Sequence, residues 1–132
     1  MKRKTIAAIL GALGLASTLV ILPTTSAKAQ GDSGSCTLYA KPPFQIEFGI
    51  AGDGGRMGCT NNANITVRIR EHRRFLPDRT RAQQTGDLVN GEFRLSFPCP
   101  ILNPKPITVF TETLVNGTNQ KVQSPRRTLL GC

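Results

Sequence analysis

Asn64-Ile-Thr-Val-Arg-Ile-Arg-Glu71 alternates without a break between branched apolar and polar residues. Ile65, Val67 and Ile69 fall on one side and Thr66, Arg68 and Arg70 on the other, the period of two that marks a half-buried strand. The pattern recurs along the chain. Glu92 to Phe97 repeats it with Phe93, Leu95 and Phe97, and Phe44 to Ile50 with Phe44, Ile46, Phe48 and Ile50. Ile107 to Val115 is rich in Thr, Val and Phe and runs into Asn116-Gly117, a strong hairpin signal. Val122 to Leu130 reads as the returning strand, with Pro125 confining part of it to an edge or bulge. Ala51-Gly-Asp-Gly-Gly-Arg-Met-Gly58 reads as a glycine-rich loop. Outside the N-terminal segment no window carries a helical stripe. About five to seven short strands punctuated by Gly, Pro and Asn predict an all-β domain, a small antiparallel β-sandwich or barrel.

The N-terminus has a different character. Lys2, Arg3 and Lys4 precede an apolar or small-residue run from Ile6 to Leu22, and Ala27-Lys28-Ala29 offers the small residues that a signal peptidase accepts. Residues 1–29 are therefore expected to be a cleaved signal peptide, which makes the protein secreted and extracellular, with no stable membrane insertion after cleavage. Removing them takes away four of the 17 basic residues and none of the eight acidic ones, so the charge falls from +9 to +5. That charge favours acidic partners, but aromatic residues for base stacking are scarce, which argues against nucleic acid.

All four cysteines, Cys36, Cys59, Cys99 and Cys132, follow the cleavage site. An even count in a short exported chain predicts two disulfides. Three pairings are possible, and Cys36–Cys59 with Cys99–Cys132 is favoured because neighbouring cysteines then staple local loops. No C-x-x-C occurs and His72 is the single histidine, so no metal site and no cofactor are expected.

Gln30-Gly31-Asp32-Ser33-Gly34-Ser35 contains no apolar residue and reads as a flexible arm. Its Gly-Asp-Ser-Gly spelling resembles the nucleophile motif of trypsin-like proteases. A serine nucleophile needs a positioned base and oxyanion donors on a rigid frame, and the arm supplies neither. The four cysteines are expected to be oxidised and the carboxylates form no recognisable constellation. No catalytic residue is assigned.

The most unusual stretch runs from Arg68 to Arg81. Arg68 and Arg70 share the polar face of a strand, and Arg73, Arg74, Arg79 and Arg81 follow in a loop around Phe75-Leu-Pro-Asp78. Arginine forks pair with carboxylates, and Phe75 with Leu76 could anchor in a partner's pocket or else tuck under the loop. Arg126-Arg127 could extend the basic face. The Asn64 and Asn116 sequons read as a strand start and a turn.

A signal, four cysteines, a free polar arm and a β pattern over the rest of the chain together resemble the small adaptor subunit of the secreted umbrella toxin particles of Streptomyces. The resemblance implies a non-enzymatic bridge between a large repeat-bearing toxin protein and a lectin subunit with a trypsin-like domain. Residues Gln30 to Ser35 would reach into the trypsin-like cleft, and the Arg68–Arg81 face would meet the toxin's repeats. Two alternatives come from other classes. Streptomyces subtilisin inhibitors are also small, exported and doubly disulfide-bonded, and Cys36-Thr-Leu-Tyr-Ala40 resembles their "LYA" start; Gly52 to Gly58 would be the inhibitory loop. A module binding cell-surface polyanions would rest on the arginine clustering alone.

Overall fold

The glycine run between Gly49 and Gly58 is a strand, and the fold is built on it. The computed structural model describes residues 36–130 and 132; the expected signal peptide and the arm Gln30–Ser35 lie outside the described residues. The described residues are all-β. Nine strands follow in order: β1 Thr37–Ala40, β2 Phe44–Ile46, β3 Gly49–Met57, β4 Ala63–Glu71, β5 Arg79–Leu88, β6 Gly91–Pro98, β7 Ile107–Val115, β8 Lys121–Gln123 and β9 Arg127–Leu129.

They form two facing antiparallel sheets, a sandwich and not a barrel. In the first, β3 is central, with β6 on one side and both β1 and β2 along the other. In the second, β4 and β7 are central, β5 lies outside β4, and β8 and β9 both lie along the outside of β7. Each sheet therefore has one edge made of two short collinear strands. Pro42 and Pro43 fall in the first break and Pro125 in the second. Proline cannot donate to a ladder, and interrupted edges resist unwanted pairing. At the second break Ser124 compensates: its N–H donates to Thr111 O at 2.8 Å, and its hydroxyl accepts from the Thr111 N–H at 2.9 Å.

Burial explains the glycines. A Cβ on Gly52 would stand 2.7 Å from Thr111 Oγ1 and one on Gly54 2.2 Å from Thr113 Oγ1, so these residues let β3 approach the opposite sheet closely. The core proper is Ile65, Val67 and Ile69 of β4, Ile107, Val109 and Val115 of β7, and Leu38, Ile50, Leu95 and Phe97 from the first sheet. These three β4 residues and the β6 pattern are those that the alternation had assigned inward.

Three expectations need correction. The expected loop Ala51–Gly58 is mostly β3, buried from Gly49 to Arg56. Phe44 to Ile50 is not one strand but a hairpin, turning at Glu47-Phe48 and pairing Ile46 with Gly49, which leaves Phe48 exposed. Arg79 and Arg81 lie not in a loop but on β5, an edge strand that packs only Ala82 and Leu88 against the core. The Asn116-Gly117 turn forms as expected: Val115 N donates to Gln120 O at 3.0 Å, and Gly117 has a φ of 81°. The disulfides are Cys36–Cys59 and Cys99–Cys132, the favoured pairing.

Candidate functional site

Residues 72–78 join β4 to β5 and close over no core, yet they are tied down. His72 N donates to Thr108 O at 2.8 Å, fixing the start of the loop to β7. Across the neck, His72 Nδ1 and Asp78 Oδ1 are 3.0 Å apart. Arg70 donates from Nη2 to Asp78 O at 3.3 Å, and Arg73 donates from Nε to Pro77 O at 3.0 Å. Above this braced neck stands Arg74-Phe75-Leu76. Phe75 is 87% exposed and Leu76 59%, and the Arg74 guanidinium lies 5.3 Å from the centre of the Phe75 ring. Burying one such side chain against a partner contributes about 1.5–3 kcal/mol, and a loop already ordered loses little entropy in doing so.

The arginines singled out from the sequence divide by what they touch. Arg68 pairs with the buried carboxylate of Glu112 on β7, which also accepts from Gln123 and has Lys121 at 4.0 Å. Arg81 occupies the β5 bulge, donates to Glu71 at 3.0 Å and lies 4.7 Å over the Phe97 ring. Both arginines are occupied within the fold. Arg70 is half-buried; its Nη1 reaches Thr80 Oγ1 at 3.4 Å. Arg74 and Arg79 are exposed, with no acid within ion-pair distance among the described residues. Arg126 does adjoin the first group: its guanidinium is 5.9 Å from the Phe110 ring, and Phe110 is the register partner of Arg70. Arg127 turns the other way and donates to Pro43 O at 3.2 Å.

Two acids are perturbed by these contacts. Burial alone would raise the Glu112 carboxyl, but hydrogen bonds from Gln123 and Arg68 outweigh it and hold it below its ordinary 4.5. Asp53, on the outer face of β3, is held below 3.8 chiefly by the Arg94 fork, with bonds of 2.7 and 2.9 Å. A carboxyl depressed in the folded state contributes stability that is complete above its unfolded value and lost as pH falls through its folded value. The unfolding midpoint in urea should therefore hold steady down to about pH 5 and drop below about pH 4. Glu112→Gln should flatten that drop.

The tip stands at one end of the sandwich and Cys36 at the other. Gly52 faces Ile69 and Thr111, and Gly54 faces Val67, so β3 read toward Gly49 runs alongside β4 read toward Glu71. The Cys36–Cys59 bridge lies beyond Met57, at the far end. Any arm preceding Cys36 thus joins the domain opposite the tip. Among the described residues no group of three or more His, Cys, Asp or Glu side chains could hold a metal, and no helix is long and apolar enough to cross a membrane. No protein-family model, curated protein or solved structure matches the chain.

Sequence reasoning missed one contributor to this end. Cys99-Pro-Ile-Leu-Asn-Pro-Lys-Pro106 carries two large apolar residues between prolines, a composition that already reads as a loop unable to bury them.

Proposed function

We propose that the chain is an exported, non-enzymatic adaptor that joins two other proteins, one at each end of the sandwich. The hairpin tip Arg74-Phe75-Leu76, with Arg79 beside it, binds the first; the arm Gln30–Ser35 docks into the second. The observation that carries this reading is Phe75, a phenyl ring 87% exposed on a loop held by hydrogen bonds at its neck. A ring that contributes nothing to the core, on a rigid support, has the character of an interface anchor. The two disulfides fit an oxidising environment such as the extracellular one. Within an umbrella-type toxin particle used against competing bacteria, the tip would face the repeat-bearing toxin and the arm the trypsin-like domain of the lectin subunit. The inhibitor alternative loses support, since Gly52 to Arg56 is a buried central strand and offers a protease no loop.

Phe75→Asp combined with Leu76→Asp should weaken the first partner at least about thirtyfold, the effect of losing an interface hot spot. Because both side chains are exposed, folding stability should change by no more than about 0.5 kcal/mol each. Affinity by calorimetry and stability by urea denaturation measure the two separately; full affinity in the double variant removes the tip from the interface.

A further inference from the structure

Among the described residues nine large apolar side chains are exposed, and seven of them are at the tip end; only Met57 and Val89 are at the other. Besides the tip, three segments supply them: the β2–β3 hairpin with Ile46 and Phe48, the loop of residues 99–106 with Ile101 and Leu102, and Leu130 after β9. Ile101 and Leu102 are 80% and 82% exposed. Their loop is not slack. The Cys99–Cys132 disulfide closes it, Cys99 N donates to Phe48 O at 2.9 Å, Cys132 N donates to Lys105 O at 3.1 Å, and Pro100, Pro104 and Pro106 each fix a φ angle.

Between this loop and the β2–β3 turn lies a pocket of about 260 Å³. Phe48, Pro100, Ile101 and Pro104 give it apolar walls, and Gln45 and Glu47 give it acceptors. Cations predominate at this end. Arg74, Arg79 and Lys105 have no acid partner among the described residues, whereas Asp78 is engaged by His72 and Glu71 by Arg81. Glu47 is the one acid at this end outside an ion pair among the described residues.

We propose that the pocket and the hairpin tip form one docking face, and that its occupant is an extended acidic protein segment with a single large apolar anchor. The anchor fills the pocket. Gln45 and Glu47 accept from N–H groups of the segment beside it, and the flanking carboxylates meet Arg74, Arg79 and Lys105. The walls accept an aromatic or aliphatic side chain, the charge selects an acidic flank, and a loop ordered by prolines and a disulfide has little entropy left to lose on binding. This deepens the adaptor reading by giving the chemistry of the partner at the tip end.

The test is an amide chemical-shift titration of the isotopically labelled protein with a short synthetic peptide bearing one Phe among glutamates. Shifts should gather at Phe48, Cys99, Ile101, Leu102 and residues 74–76. Ile101→Asp, an exposed position, should weaken binding at least about tenfold. A peptide with lysines in place of the glutamates should leave the spectrum unchanged. Absence of shifts, an equal response to the lysine peptide, or phosphatidylglycerol vesicles engaging the same residues while the acidic peptide does not would each overturn the proposal. If the peptide fails while the Phe75/Leu76 double variant still loses its partner, the pocket falls and the adaptor reading stands.

Discussion

Valine in place of Gly54 should cost the domain about 3 kcal/mol or more, a large fraction of the stability of a domain of this size. Even the first added carbon would lie 2.2 Å from Thr113 Oγ1 and 2.9 Å from Val67 Cγ1. Neither neighbour can yield cheaply. Thr113 is fully buried and its hydroxyl donates to Tyr39 O at 2.8 Å, a bond that ties β7 to β1 across the sandwich; Val67 sits in the middle of the core. The sheets would have to part, and every contact along β3 would loosen with them. Gly117→Ala provides the contrast. There a φ of 81° disfavours a side chain but nothing lies within 4 Å, so the cost should be about 1 kcal/mol of backbone strain with no change in packing. Urea denaturation of the two variants separates the causes; a mild loss at Gly54 would mean that β3 does not lie against the second sheet as described.

Removing either disulfide should be nearly as damaging. The bridges close loops with sequence separations of 23 and 33 residues, for which the chain-entropy relation gives about 3–4 kcal/mol each. In a domain near 100 residues that corresponds to a fall of roughly 15–30 °C in the thermal midpoint. The two should differ in function. Cys36–Cys59 closes the end where the arm joins, and Cys99–Cys132 holds the loop that walls the pocket. Cys99→Ala with Cys132→Ala should weaken tip-end binding even at a temperature where the domain remains folded. Cys36→Ala with Cys59→Ala should leave that binding intact under the same condition. Equal binding losses in two folded variants would contradict the assignment of the pocket loop.

The strands that could be read in the sequence are those whose pattern is set by their own residues. β4 and β6 present an unbroken apolar alternation because each buries one face on a core of ordinary depth. The strands that were missed take their composition from a neighbour. Gly52 and Gly54 are small because Thr111, Thr113, Ile69 and Val67 already occupy the space, and Gly86 of β5 lies where a Cβ would be 2.9 Å from the Phe93 ring. Nothing local distinguishes such a strand from a flexible loop. The turn at Glu47-Phe48 was hidden for another reason: it carries neither glycine nor a positive φ, so the alternation of Phe44 to Ile50 runs through it unbroken.

The same division applies to the candidate site. Phe75 in an arginine-rich stretch was legible as an anchor candidate, and the alternative that it tucks beneath the loop does not hold for a ring so exposed. Which arginines remain open to a partner was not legible. Arg68 and Arg81 are occupied by Glu112, Glu71 and Phe97, residues placed beside them by strand register and by the facing sheet. The gathering of Phe48, Ile101 and Leu102 at the tip end likewise depends on how the sheets are stacked.

The adaptor account is tested most directly by a three-way recovery experiment. The tagged protein, the Phe75→Asp/Leu76→Asp variant and a variant lacking Gln30 to Ser35 are each recovered from the culture medium of the producing cell, and the co-eluting proteins are identified and quantified by mass spectrometry. The account predicts two stoichiometric companions for the unaltered protein, loss of one from the tip variant, and loss of the other from the arm variant. An unaltered protein recovered alone, or two variants that keep both companions, would contradict it.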